Sequence, residues 1–129
     1  MVINKDYRKG QLSSLIAALE QVPPETEAIL ICLVDNPFIT TTIVDQIVSA
    51  FRQTKGAIVV PVFNNKRGHP ALFAKSLFKE LANAPPQQGA RYVVYSNEDK
   101  VVEVETTERA VLIHIDAPED YKSYFGTDP

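Results

Sequence analysis

The chain has 129 residues, of which 45% are apolar, and a formal net charge of −3 at pH 7. This length suits a single domain, residues 1–129, with one hydrophobic core. The acidic balance argues against nucleic-acid binding, which needs a basic face, and no apolar run approaches the ~20 residues of a membrane span. The one cysteine, Cys32, lies in an apolar run, which favours core packing and a reducing, cytoplasmic location.

The first half of the sequence predicts two helices around a buried strand. Apolar residues recur at helical spacing from Gln11 to Gln21. The continuous apolar run from Ala28 to Val34 is typical of a strand that is covered on both faces. The threonines at 40–42 offer N-caps for a second helix, and Gly56 suits its C-terminal cap.

The middle of the chain predicts a strand that turns back on itself. Ala57 to Phe63 is a second apolar strand, and the turn formers from Asn64 to Gly68 reverse the chain. His69 to Leu72 is expected to return as a strand, followed by a helix from about Phe73 to Asn83.

The last third of the sequence predicts further alternation of helix and strand. Ala90 to Tyr95 fits either a short helix or a strand, whereas Val101 to Val104 and Val111 to Ile115 fit strands. Pro118 to Phe125 is expected to form a terminal helix with proline in its first turn. The whole pattern indicates an α/β fold with a mainly parallel sheet and an antiparallel element.

Two aspartates, Asp35 and Asp116, each follow a predicted apolar strand. Ligands bind at the carboxyl ends of strands in open α/β sheets, so neighbouring strands would bring these carboxylates together. Such a pair suits Mg²⁺, which offsets the charge of a nucleoside triphosphate. The simpler alternative is that Asp116 caps the helix beginning at Pro118.

Three other signals carry polar side chains that could bind a ligand. Arg67, Gly68, His69 and Pro70 stand in the predicted turn, and Arg91 follows a glutamine-rich loop. Each also has a simpler interpretation, because His69 fits a turn residue and Arg91 fits a solvated charge. The other histidine alternates with apolar neighbours and fits a structural role.

Taken in chain order, five motifs resemble the molybdenum-cofactor nucleotidyltransferase family, and especially its cytidylyltransferase-like branch. The motifs are Gly10-Gln11-Leu12-Ser13-Ser14-Leu15, Asp35-Asn36-Pro37, Arg67-Gly68-His69-Pro70, Gly89-Ala90-Arg91 and Ile115-Asp116-Ala117-Pro118-Glu119-Asp120-Tyr121. Each motif is weak alone, but their common order is specific, and the likeness extends over nearly the whole chain.

This resemblance implies a Rossmann-like mixed sheet of the nucleotide-diphospho-sugar transferase type. It implies that Asp35 and Asp116 are catalytic and hold Mg²⁺ once nucleotide is bound, with Arg67 to Pro70 and Arg91 binding substrate. The implied reaction is attack by the phosphate of a molybdopterin-like acceptor on the α-phosphorus of CTP or GTP.

The resemblance has one large departure at the amino end. Family members begin with a strand and a glycine-rich loop that hold the nucleotide, and this sequence shows neither. We therefore expect a truncated fold with little activity alone, either completed by a partner chain or serving as a non-catalytic ligand-binding or assembly module. The strand from Ala28 to Val34 would then be an uncovered edge, which predicts a homodimer or higher homo-oligomer.

Overall fold

A computed structural model describes residues 11–32, 38–85 and 88–113 of the chain. Within these ranges helices and strands alternate from α1 to β2, and two strands, two helices and a last strand follow. The helices are α1 (Gln11–Leu19), α2 (Thr41–Thr54), α3 (Phe78–Ala82) and α4 (Ala90–Ser96). The strands are β1 (Ala28–Ile31), β2 (Ile58–Phe63), β3 (Lys66–Arg67), β4 (Ala71–Ala74) and β5 (Val101–Glu105). Short 3₁₀ helices cover Lys75–Leu77, Glu98–Lys100 and Arg109–Leu112.

The described strands form one mixed sheet, which confirms the predicted α/β class. One edge of β2 pairs in parallel with β5, and its other edge pairs antiparallel with β4 and then β3. The strand β1 pairs antiparallel with β4, so β1, β2 and β5 run in the same direction. The prediction of a mainly parallel sheet is wrong, because three of the four pairings among the described strands are antiparallel. The chain returning from β2 is inserted between β1 and β2 and runs against both.

The return from β2 differs from the prediction in its boundaries. Asn64 and Asn65 both have positive φ values, 52° and 63°, as a tight two-residue hairpin turn requires. Two short strands then follow in place of the single strand expected at 69–72, and residues 68–70 separate them. The helix expected from Phe73 begins later, because Phe73 is buried in β4 opposite Ile29 and Ile58.

Each face of the sheet has its own hydrophobic core, because alternate residues of a strand point to opposite faces. Helices α1, α3 and α4 cover one face, and α2 covers the other together with the 3₁₀ helix at 109–112. The first core comprises Ile58, Val60, Ala71, Phe73, Leu77, Leu81, Ala84 and Val93. The second comprises Ile43, Ile47, Val59, Leu72 and Val111. The sheet is therefore the middle of three layers.

The ends of α2 show which of the predicted caps are used. The Thr40 hydroxyl accepts a hydrogen bond from the Ile43 N–H (3.3 Å), as an N-cap does. At the other end Lys55, with φ of 52°, takes the left-handed position that the sequence assigned to Gly56. Gly56 has a different role, since a Cβ there would lie 2.4 Å from Cγ2 of Val102.

Two further predictions, the strand at 111–115 and the buried cysteine, disagree with the structure. The strand predicted for Val111 to Ile115 is wrong over its first residues, which form a 3₁₀ helix with Val111 fully buried. Cys32 follows β1 and is exposed, so its predicted core packing is wrong too. Partial burial of its thiol raises the pKa of Cys32, which keeps it protonated at neutral pH.

Within the described ranges, none of the helices has the length and apolar character needed to cross a membrane.

Candidate functional site

A cleft of about 390 Å³ opens at the carboxyl ends of β1 and β2, on the face that α4 covers. This is the end of an open α/β sheet where ligands bind, and the volume lies within the range of small-molecule sites. Its floor is apolar and consists of the sheet residues Ile31, Val60, Ala71 and Phe73, and Val94 of α4 adds an apolar side chain to the wall. Its remaining lining comprises Arg67, Gly68, His69, Gln88, Ala90, Arg91 and Tyr95.

Arg67 enters the cleft from β3, where it lies opposite Val62 of β2. Its Nη2 contacts Glu98 Oε1 at 2.5 Å, and its Nε donates to Glu103 Oε2 at 3.3 Å. The hydrogen bond to Glu98 raises the pKa of Arg67, and the same bond lowers the pKa of Glu98. Both groups are therefore ionised at neutral pH, and Arg67 already has carboxylate partners.

Backbone hydrogen bonds fix the turn that follows Arg67. The Gly68 N–H donates to the Pro61 carbonyl, and the His69 N–H donates to the Val111 carbonyl, each at 2.9 Å. A Cβ on Gly68 would lie 2.2 Å from the same Val111 carbonyl oxygen, so only glycine fits here. The segment that was expected to be a strand thus holds the turn in place as a 3₁₀ helix.

Arg91 and Tyr95 lie one helical turn apart on α4, so their side chains share a face. The helix begins after Gly89, whose φ of 56° and ψ of −137° belong to glycine rather than to L side chains. It ends at Asn97, a buried residue whose Nδ2 donates to Glu80 Oε2 and to the Val93 carbonyl, each at 2.8 Å. These contacts fix α4, and with it the wall of the cleft.

The cationic side chains of the cleft suit an anion. Two arginines and a histidine line it, and the carboxylates of Glu98 and Glu103 lie against one of these arginines, Arg67. Guanidinium groups bind phosphate and carboxylate through paired hydrogen bonds. No group of three potential metal ligands occurs in the described ranges.

The structure brings most of the described candidate residues to this one place. Arg67, Gly68, His69 and Arg91 all line the cleft, although two segments of the chain supply them. Pro70, joined to His69 by a cis peptide bond, is fully buried and does not line the cleft. Asp35 and Asp116 lie outside the described residues, so their predicted role at a metal ion stays a prediction.

Sequence reasoning missed four side chains that shape the site: Gln88, Tyr95, Glu98 and Glu103. Tyr95 had a usable signal, because a helical interpretation of 90–95 places it on the same face as Arg91. The two glutamates gave no local signal, since they reach Arg67 only through the parallel pairing of β2 with β5.

The sequence matches the family model of the MobA-like NTP transferase domain over residues 1–101. The chain belongs to this family, which confirms the resemblance found in its motifs. No curated protein matches the chain significantly.

Solved structures are also similar to this chain. Rv0371c from Mycobacterium tuberculosis H37Rv has a TM-score of 0.79 and 26% identity over 91% of this chain and 60% of its own. Its homolog from Mycobacterium sp. strain JC1 has a TM-score of 0.77 and 26% identity over 90% of this chain and 57% of its own. The chain thus spans about three fifths of the length of these proteins.

The same fold recurs at lower identity. The 4-diphosphocytidyl-2C-methyl-D-erythritol synthase of Anaerococcus prevotii has a TM-score of 0.65 and 16% identity, over 92% of this chain and 65% of its own. Rv0371c has also been solved in complex with manganese. That structure has a TM-score of 0.76 to this chain and 26% identity, over 88% of this chain and 60% of its own.

Proposed function

We propose that this chain supplies the acceptor-binding side of a nucleotidyltransferase that moves CMP or GMP from CTP or GTP to a molybdopterin-like acceptor. The observation that carries the proposal is the cleft at the carboxyl ends of β1 and β2, where Arg67, His69 and Arg91 converge. A phosphate-bearing acceptor matches this charge, and family membership supports nucleotidyl transfer as the reaction class.

The apolar floor and one exposed aromatic side chain support an acceptor with a planar ring. Tyr95 is 69% exposed although it is a large aromatic residue at the rim of the cleft. Aromatic rings of this kind stack on planar ligands while their hydroxyl stays in water. A phosphate on Arg91 and a ring on Tyr95 would together orient a pterin-like molecule.

A divalent cation is the expected cofactor of such a reaction, and carboxylates are its preferred ligands. Asp35 follows the cleft-lining Ile31 by four positions, and Asp116 follows Val111, which binds the His69 backbone, by five. These short separations support both aspartates as ligands of one Mg²⁺ or Mn²⁺. The manganese complex of Rv0371c adds support from a similar protein. When bound, the ion would neutralise charge on the phosphates of the nucleotide.

The chain's own residues would act mainly by positioning. Arg91 and Arg67 would hold the acceptor phosphate so that one of its oxygens faces the α-phosphorus of the nucleotide. A new P–O bond forms there, the bond to the β-phosphate breaks, and pyrophosphate leaves. Positioning supplies much of the rate in phosphoryl-type transfer, so a fixed turn at Gly68 and His69 matters for the reaction.

Calorimetric titration of CTP and GTP, with and without Mg²⁺ or Mn²⁺, tests the proposal. We expect weak nucleotide binding that depends on the divalent ion, because Asp35 and Asp116 would hold the nucleotide through that ion, and little transfer by the chain alone. Rapid turnover of CTP or GTP by the pure chain would contradict the expected low activity. Absence of any metal-dependent nucleotide binding at millimolar concentration would overturn the proposed function.

We also propose that the chain forms a homodimer or a higher homo-oligomer. Among the described strands β1 pairs only with β4, so its other edge lies open to further pairing within the ranges that the structure covers. Apolar strand edges are covered or paired in soluble proteins, and two-fold dimers are the commonest oligomers. Sedimentation equilibrium is expected to give a dimer at micromolar concentration, and a stable monomer would contradict this.

A further inference from the structure

Two carboxylates of the protein would compete with a bound ligand for an arginine of the cleft. Arg67 lines the cleft, yet its guanidinium contacts the carboxylates of Glu98 and Glu103. An incoming phosphate can therefore bind Arg67 fully only if one of these carboxylates gives way.

The two carboxylates hold different parts of the guanidinium. Glu103 lies on β5 and accepts from Nε, the inner nitrogen, across a sheet whose register fixes both residues. Glu98 lies on the short 3₁₀ helix between α4 and β5 and contacts Nη2, one of the two terminal nitrogens. A phosphate binding at the tip of the arginine competes with Glu98 rather than with Glu103.

Exposure permits this exchange but does not choose the partner. The side chains of Glu98 and Glu103 are 54% and 51% exposed, so either carboxylate can rotate into water without disturbing a hydrophobic core. The choice depends on which nitrogen each one contacts. The pKa directions of Arg67 and Glu98 are those of two charges held by each other, and Glu98 is the larger cause of the Arg67 shift. Removing this contact therefore frees the arginine more than removing any other.

We propose that Glu98 is an affinity-setting residue of the cleft: it occupies Arg67 in the empty site and is displaced when a phosphate group of the ligand binds. This inference deepens the proposed function and depends on it for the identity of the ligand. Glu98 need not touch the reacting atoms, and it acts through Arg67.

The test is a titration of Glu98→Gln with inorganic tripolyphosphate at 0.15 M salt. We expect binding to tighten roughly three- to fivefold, which is the range that an exposed ion pair can contribute. Asp99→Asn is the matched control, because it removes the same charge from the neighbouring position. The control is expected to change affinity much less, since Glu98 and Glu103, and not Asp99, are the carboxylates that contact Arg67 and shift its pKa.

A third variant separates this competition from a general charge effect. In an Arg67→Gln background, Glu98→Gln is expected to produce no tightening, because the group that it frees is absent. Equal effects of Glu98→Gln and Asp99→Asn, or tightening that persists without Arg67, would overturn the inference. Metal-dependent CTP or GTP binding could still be intact in that case, so the proposed function would survive. Tightening without nucleotide binding would instead leave the inference standing and the proposed function wrong.

Discussion

Replacement of Gly68 by alanine is expected to destabilise the protein by about 3 kcal/mol, at the upper end of overpacking effects. The new Cβ would lie 2.2 Å from the carbonyl oxygen and 2.7 Å from the carbonyl carbon of Val111. Val111 is fully buried and its carbonyl accepts the His69 N–H, so the obstructing atoms cannot withdraw without loss of that bond. Gly68 has no positive φ, so the expected loss is steric. Urea unfolding followed by circular dichroism measures it.

Gly56→Ala is the matched control for this prediction. Its Cβ would also meet an atom closely, Cγ2 of Val102 at 2.4 Å. That atom is the end of a half-buried side chain, which can move, so we expect a loss of about 1 kcal/mol. Equal unfolding midpoints for the two variants would show that the 3₁₀ helix does not pack on the turn as described.

The elements that the sequence predicts well are those whose pattern is complete within a few residues. Helix α1 and strands β2 and β5 fall where periodicity places them, because a helical stripe or an apolar run is a local property. The turn at Asn64 and Asn65 is likewise local, since asparagine tolerates positive φ. The mixed α/β class follows from the order of these elements.

The errors arise where a local pattern has two structural solutions. Val111 to Ile115 is a short apolar run that fits a strand, yet among its described residues, 111–113, Val111 is the one that is deeply buried, and its carbonyl accepts a hydrogen bond from the His69 N–H. Burial of Val111 and its backbone hydrogen bond to His69 use this apolar run without strand pairing. Both contacts depend on the turn at Gly68, which is distant in the sequence. Cys32 is a similar case, because its apolar neighbours continue a run that ends as a strand at Ile31.

The sequence predicted several of the side chains that line the cleft, but it did not predict their ion pairs. The motifs named Arg67, His69 and Arg91, which the fold brings to one cleft. The ion pairing of Arg67 was not predictable, because its carboxylate partners come from the distant strand β5 and the 3₁₀ helix before it. The motifs therefore identified the side chains, whereas contacts between distant parts of the chain determine whether Arg67 is available to a ligand.

Asp35→Ala and Asp116→Ala are each expected to weaken manganese binding in the presence of CTP by about 100-fold or more, because loss of outer-shell partners alone costs 10- to 100-fold. If both carboxylates hold the same ion, the double variant should lose little beyond either single variant, since groups that act as a unit are not additive. Electron paramagnetic resonance of Mn²⁺ measures the free and bound ion directly. Asp45→Asn is the control, since Asp45 lies on α2, across the sheet from the cleft, and should leave binding unchanged. Losses that add in the double variant would show two separate sites, and undiminished binding in either single variant would remove that aspartate from the metal site.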